Sequence, residues 1–314
     1  MTYEKIGLIG FGNWINDAYL PFINSSSDIK VTHISTKTQN SLDRAKLIFG
    51  EQAKYTLDYK KLIQDESLDL VILSVPDEIH GDVLLEILSS DIDCVFEMPL
   101  TLNQNNSENI MAKIKSQNNL MIPNLEMSYL PIVNFLKSVI QEKKYGKILS
   151  SKLLLSANWW PGFGIYSSSA WYIDVLNKIF DSIPLKVLSK VEKKSKFPSE
   201  SKGIAILDYE DFTAEWEFDM ESKDGLSVVL DLFFEEKNMK INLMTSEIIS
   251  ENNKKIEFFE PFHGWPGMNE FLKSIFNSSN KHQKTKYIRE IESLQSISNA
   301  LELSMNTNQW VKIL

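Results

Sequence analysis

Two glycines near the N-terminus carry the first chemical signal. The segment Ile6-Gly7-Leu8-Ile9-Gly10-Phe11-Gly12-Asn13-Trp14-Ile15 is an apolar strand that runs into a glycine turn and then a helix. Gly10 permits the tight turn. Gly12 lets the backbone approach a pyrophosphate, and the helix opening at Asn13 and Trp14 offers free N–H groups and the positive end of its dipole. The pattern points to a nucleotide phosphate site. Ile15 stands where the usual fingerprint has a third glycine, a change that bears on helix–strand packing more than on phosphate contact. The alternative is a plain strand-to-helix turn with no ligand.

The end of the second strand refines the signal. It reads Ile34-Ser35-Thr36-Lys37-Thr38, with no acid until Asp43. An acid there would bind free ribose hydroxyls. A small hydroxyl residue followed by a cation suits a 2′-phosphate better, so Thr36 and Lys37 favour NADP, with NAD still open. Other chemistries find little support. The histidines (His33, His80, His263, His282) are scattered and show no metal-ligand spacing. No G-x-S-x-G nucleophile elbow is present.

The elements that must position this loop alternate over the first hundred residues. Strands are expected at Lys5–Ile9, Lys30–Ile34, Leu70–Val75, Asp93–Glu97 and Leu120–Pro123. Helices are expected at Ser41–Phe49, Leu57–Ile63, Gly81–Leu88 and Asn109–Ser116. Short apolar strands separated by helices predict a parallel sheet covered on both faces. After about residue 145 the pattern changes. Strands at Lys147–Ala157, Lys186–Val191, Gly203–Tyr209, Phe212–Phe218, Leu226–Phe234 and Lys240–Met244 follow one another with turns between them, which predicts an antiparallel sheet. Helices over Ala170–Ile183, Met268–Phe276 and Ile288–Met305 complete this half. The expected fold is α/β: a Rossmann domain with a parallel sheet over 1–122, then an α+β domain with a large, mostly antiparallel open sheet over 123–314.

Bulk properties agree with a globular two-domain chain. The 314 residues are 43% hydrophobic and 24% charged, which suffices for buried cores. A net charge of −9 disfavours a nucleic-acid partner. The single cysteine, Cys94, lies in an apolar run and reads as a buried inert thiol. No signal peptide or membrane span is evident, so a cytoplasmic location is expected.

Three later segments carry a family resemblance. Leu73-Ser74-Val75-Pro76-Asp77-Glu78-Ile79-His80 resembles the P-x-x-x-H strand end of the Gfo/Idh/MocA oxidoreductases. Glu97-Met98-Pro99-Leu100 resembles their E-K-P signature. Ser167-Ser168-Ser169-Ala170-Trp171-Tyr172-Ile173-Asp174-Val175-Leu176-Asn177-Lys178 resembles their G-G-G-A-x-x-D-x-x-x-H helix. The resemblance implies a nicotinamide-dependent oxidoreductase acting on a small molecule such as a sugar, sugar nucleotide or polyol. It also implies a homo-oligomer, dimer or tetramer, assembled through the second domain.

The chain departs from that pattern where chemistry is implied. Met98 replaces the family lysine and cannot exchange a proton. Lys178 replaces the family histidine that serves as general base. Asp174 and Lys178 are spaced i, i+4 and share one helix face. One reading gives Lys178 the proton-transfer role with Asp174 orienting it. The other makes them an ordinary helical ion pair worth about 0.3–0.5 kcal/mol. The resemblance implies cofactor contacts at Pro76, His80, Glu97 and Met98, although His80 also reads as a hydrogen-bonded structural histidine. Glu126, Trp159 and Trp160 are candidate substrate contacts. The two replacements keep further readings open: reduction of a C=N bond, which does not require the lysine–histidine pair, or dinucleotide binding with altered or lost redox activity. No metal is expected.

Overall fold

The computed structural model describes residues 3–158, 163–194, 199–249, 255–257, 264–276 and 283–313. The chain divides into two compact units. One comprises Met1–Asn124 and His263–Glu292, the other Leu125–Phe262 and Ser293–Leu314.

The first unit begins with β1 (Lys5–Ile9), a π-helical turn over Ile15–Tyr19 and α1 (Leu20–Ser25). There follow β2 (Lys30–Ser35), α2 (Gln39–Phe49), β3 (Lys54–Thr56), α3 (Tyr59–Ile63), β4 (Leu70–Leu73), α4 (Asp77–Ile87), β5 (Asp93–Glu97), α5 (Gln104–Ser116) and β6 (Met121–Asn124). The strands form one parallel sheet in the order β3-β2-β1-β4-β5-β6. The order reverses between β1 and β4, the switch point at whose strand ends ligands bind in open α/β sheets. Every residue of β4 is buried, as are Cys94, Val95 and Phe96 of β5, so these central strands read as continuous apolar runs rather than alternating ones. Capping explains the helix starts. Thr38 accepts from the Ser41 amide ahead of α2, and Asp58 accepts from the Lys60 amide ahead of α3. Strand β3 lies where the sequence suggested no strand; only three residues long, it is held by pairing with β2.

The second unit opens with a 3₁₀ turn at Glu126–Tyr129 and α6 (Pro131–Gln141). Helix α6 was not marked in the sequence. Pro131 sits at its first turn, where no amide partner is lost, and Ile132, Val133, Leu136 and Val139 form its buried stripe. Then come β7 (Ile148–Ser156), α7 (Ile165–Phe180), β8 (Lys186–Glu192), β9 (Lys202–Asp208), β10 (Thr213–Asp219), β11 (Ser227–Phe234), β12 (Asn238–Asn242), β13 (Glu247–Ile249) and β14 (Lys255–Glu257). Helices α8 (Met268–Phe276) and α9 (Lys284–Thr307) and strand β15 (Val311–Lys312) end the chain. The sheet order is β14-β13-β12-β11-β7-β10-β9-β8-β15. It is mostly antiparallel, with β10 and β7 running parallel. Burial alternates along β7, β10 and β11, as in a sheet with one covered face. On that face Tyr172 of α7 stacks on Trp216 of β10, and Ser189 of β8 bonds Leu301 and Ser304 of α9.

One boundary differs from the sequence expectation. The sequence pattern groups segment 263–292 with the second half, yet it packs with the first unit. The cause is apolar. Helix α8 buries Met268, Phe271, Leu272, Ile275 and Phe276, and the Phe276 ring meets Tyr3 edge-on and stacks on Phe22.

Candidate functional site

The glycine loop is shaped so that its carbonyls face the protein. Gly10 has a φ of +93°, and a Cβ there would lie 1.8 Å from the Ser74 carbonyl oxygen at the end of β4. Only glycine allows β1 and β4 to approach this closely. The Gly10 amide donates to the Ser35 carbonyl at 2.9 Å. The Phe11 carbonyl accepts from Arg44 of α2 at 3.2 Å, and the Gly12 carbonyl accepts from the Asn16 side chain at 2.6 Å. The Phe11 and Gly12 carbonyls are thus taken up by hydrogen bonds within the chain. A Cβ at Gly12, by contrast, would meet nothing within 4 Å, so open space lies against that backbone. Inward carbonyls, an open approach and a following helix start make a cradle that fits a dinucleotide pyrophosphate.

Beside the loop, β2 ends in Thr36 and Lys37. Thr36 is buried and its hydroxyl donates to the Thr38 carbonyl, while Lys37 is exposed. Arg44 of α2, which the sequence pattern does not single out, adds a cation against the glycine loop at Phe11. Its only sequence signal is a basic residue on the helix after β2. Asn13 is exposed and Trp14 half-buried at the helix opening.

Carboxyls stand at the end of β5, Glu97, and at the start of α4, Asp77, while β6 ends in Asn124. Glu97 Oε1 accepts from Trp14 Nε1 and from the Tyr19 hydroxyl, each at 2.7 Å, and Asn124 Nδ2 lies 3.1 Å from both Glu97 oxygens. Burial pushes Glu97 up to about 7; the three donors oppose the shift and Asp77 adds to it. Asp77 itself is pushed up to about 6, first by burial and then by Glu78. Pro76 is exposed just ahead of α4. Met98 is buried and leads through a cis peptide into Pro99. His80 is 2% exposed and its Nδ1 donates to the Leu100 carbonyl at 3.1 Å. Burial lowers its pKa to about 4, so the ring is neutral. Of its two sequence readings the geometry matches the structural one: the imidazole braces the turn that carries Met98.

In the second unit Asp174 is buried on α7, and its Oδ2 accepts from Ser128 Oγ at 2.5 Å. Ser128 comes from the 3₁₀ turn. One turn of helix beyond Asp174, Asn177 accepts from the Tyr209 hydroxyl at 2.7 Å. Tyr209 is held neutral, first by burial and then by the charge of Asp174. Lys178 is half-buried on the same face of α7 as Asp174. Glu126 is 3% exposed beside Tyr172, an interior position rather than an open substrate surface. Trp159 and Trp160 lie outside the described residues. Ser128 and Tyr209 were missed because nothing local marks either one; each meets α7 only through folding. Among the described residues no cluster of three or more metal-ligating side chains occurs.

Residues 4–125 match the model of the Gfo/Idh/MocA oxidoreductase family, NAD-binding Rossmann fold. Over those residues the chain is similar to that family's Rossmann unit. The chain is 22% identical over 239 residues to inositol 2-dehydrogenase of Salmonella typhimurium, covering 73% of this chain and 67% of the relative. Levoglucosan dehydrogenase in complex with NADH superposes with a TM-score of 0.82 at 14% identity, over 99% of both chains. Myo-inositol 2-dehydrogenase from Lactobacillus plantarum gives 0.77 at 16% identity, over 99% of this chain and 100% of that one. These structural likenesses carry the fold: a Rossmann unit followed by a large, mostly antiparallel sheet. The chain is an oxidoreductase of the NAD(P)-dependent, dehydrogenase-like kind. Among the described residues no helix is long and apolar enough to cross a membrane.

Proposed function

We propose that this chain transfers hydride between NADP and a small polyhydroxylated molecule, a sugar, sugar nucleotide or polyol. The observation that carries the reading is the glycine loop, with its carbonyls committed to Arg44 and Asn16 and open space at Gly12. Gly10, Gly12, Asn13 and Trp14 hold the pyrophosphate. Thr36 and Lys37, joined by Arg44, form the cationic edge that favours a 2′-phosphate, with NAD as the lesser cofactor. Pro76, Glu97 and Met98 border the nicotinamide end. The cofactor, when bound, supplies or takes the hydride.

The proton that accompanies the hydride is assigned to Lys178, oriented by Asp174, which Ser128 holds in place. A lysine serves this role when its surroundings bring its pKa toward neutrality. His80 and Glu126 act by positioning. The related inositol 2-dehydrogenases, known by name as polyol enzymes, support the substrate class. Reduction of a C=N bond is the second reading, favoured by the buried, uncharged Met98, since an imine needs a proton at nitrogen rather than removal of one from a hydroxyl. A homo-oligomer, dimer or tetramer, in the cytoplasm completes the proposal.

The test is a titration with NADP⁺ and NAD⁺, followed by a panel of polyols, sugars, sugar nucleotides and cyclic imines, with reduced cofactor followed by absorbance. Turnover of polyols with tighter NADP⁺ than NAD⁺ binding is expected. Turnover of imines alone would select the second reading. Tight dinucleotide binding without hydride transfer to any class would remove the enzyme assignment.

A further inference from the structure

Glu97 is held in the first unit by several hydrogen-bond donors at once. Its carboxyl takes donors from two elements beside the glycine loop and sheet end: Trp14 and Tyr19 on the turn after β1, and Asn124 at the end of β6. Trp14 is in turn braced edge-on by Trp265, with ring centroids 5.0 Å apart, so the donor frame is fixed from outside as well. The groups that act on Glu97 are these neutral donors and the like-charged Asp77 from α4, and the next residue in sequence is the buried apolar Met98. Tyr19 is the titratable one among the donors, and Glu78 follows Asp77 on its helix.

We infer that Glu97 is a positioning residue whose charge sets the preference of the site for oxidised over reduced nicotinamide. The inference rests on the dinucleotide reading above. The oxidised ring carries a positive charge and the reduced ring none. A carboxylate at the end of β5 therefore attracts one redox form and is indifferent to the other. With Met98 next in sequence, the neighbouring side chain brings no cation to offset that field. Because burial holds Glu97 near neutrality, its charge turns over within the ordinary working range of pH. Binding of the oxidised cofactor then expels the proton, and by linkage the affinity for it rises with pH.

The experiment measures Kd for NADP⁺ and NADPH, with NAD⁺ and NADH alongside, on the intact protein from acid to mildly alkaline pH. Tryptophan fluorescence serves as the readout. The ratio Kd(oxidised)/Kd(reduced) is expected to fall about tenfold as Glu97 ionises, the equivalent of one pK unit of coupling. Glu97→Gln should hold the ratio flat at its acid value. Tyr19→Phe removes a donor that favours the carboxylate, so it should move the midpoint to higher pH and keep the change itself; this variant decides the matter should Glu97→Gln fail to fold. A flat ratio in the native protein, or an unaltered pH dependence in Glu97→Gln, would overturn the inference while leaving dinucleotide binding intact. Failure of every dinucleotide to bind at any pH would overturn the functional reading itself, and this inference with it.

Discussion

Replacing Gly12 by alanine separates a ligand-binding loop from a plain turn. The added Cβ would meet no heavy atom within 4 Å. Folded-state strain is therefore absent, and the loss of backbone freedom in the unfolded chain makes the change neutral or stabilising by up to about 1 kcal/mol. Gly10 provides the contrast. A Cβ there would lie 1.8 Å from the Ser74 carbonyl oxygen at a φ of +93°. The conformation alone costs roughly 1–2 kcal/mol, and displacing the β4 backbone adds about 1–3 kcal/mol more. Cofactor affinity should behave differently from stability. A methyl placed where the pyrophosphate meets the backbone breaks at least one charge-assisted hydrogen bond, worth about 1.5–3 kcal/mol, or roughly tenfold to more than a hundredfold in Kd. Chemical denaturation and fluorescence titration on the same preparations give both quantities. Gly12→Ala with native stability and native NADP⁺ affinity would refute the phosphate-loop argument. Gly12→Ala with lost stability would refute the claim of open space.

Other outcomes follow from the same geometry. Arg44→Ala should weaken NADP⁺ more than NAD⁺, because it removes a cation against the glycine loop; equal affinities after the change would place the 2′-phosphate elsewhere. Ser128→Ala leaves the buried Asp174 carboxyl short of a donor and should cost about 1–3 kcal/mol of stability, read by denaturant midpoint. Lys178→Ala should cut turnover and reshape its pH profile with little change in cofactor affinity; unchanged turnover would return Lys178 to an ordinary surface pair. Glu97 has a folded pKa raised from the usual 4.5 to about 7, so its contribution to stability is full below the usual carboxylate value and is lost as pH rises through about 7. His80, lowered to about 4, acts in the opposite direction and removes stability as pH falls from 6.5 toward 4. The stability profile of Glu97→Gln should therefore show a smaller loss between about pH 4.5 and 7, the part due to Asp77 remaining, and keep the loss as pH falls from 6.5 toward 4.

Local sequence sufficed for the alternation of strands and helices, the glycine turn after β1, and the change from parallel to antiparallel texture near residue 145. These features rest on short-range periodicity and on backbone freedom at Gly10, which neighbouring residues encode directly. Helix α8 was legible to its ends because its apolar stripe follows a glycine and proline turn. What it packs against was not legible, since Phe276 meets Tyr3 and Phe22 across most of the chain length. The same limit applies to the site. Gly12, Glu97 and Asp174 stand out as types at characteristic places. The partners that give them function, Arg44, Tyr19, Asn124, Ser128 and Tyr209, are ordinary residues in ordinary contexts. Folding alone brings Asn124 onto Glu97 and Ser128 onto Asp174, because strand register and the docking of the 3₁₀ turn on α7, rather than any local sequence preference, place donors within hydrogen-bond reach of those carboxyls.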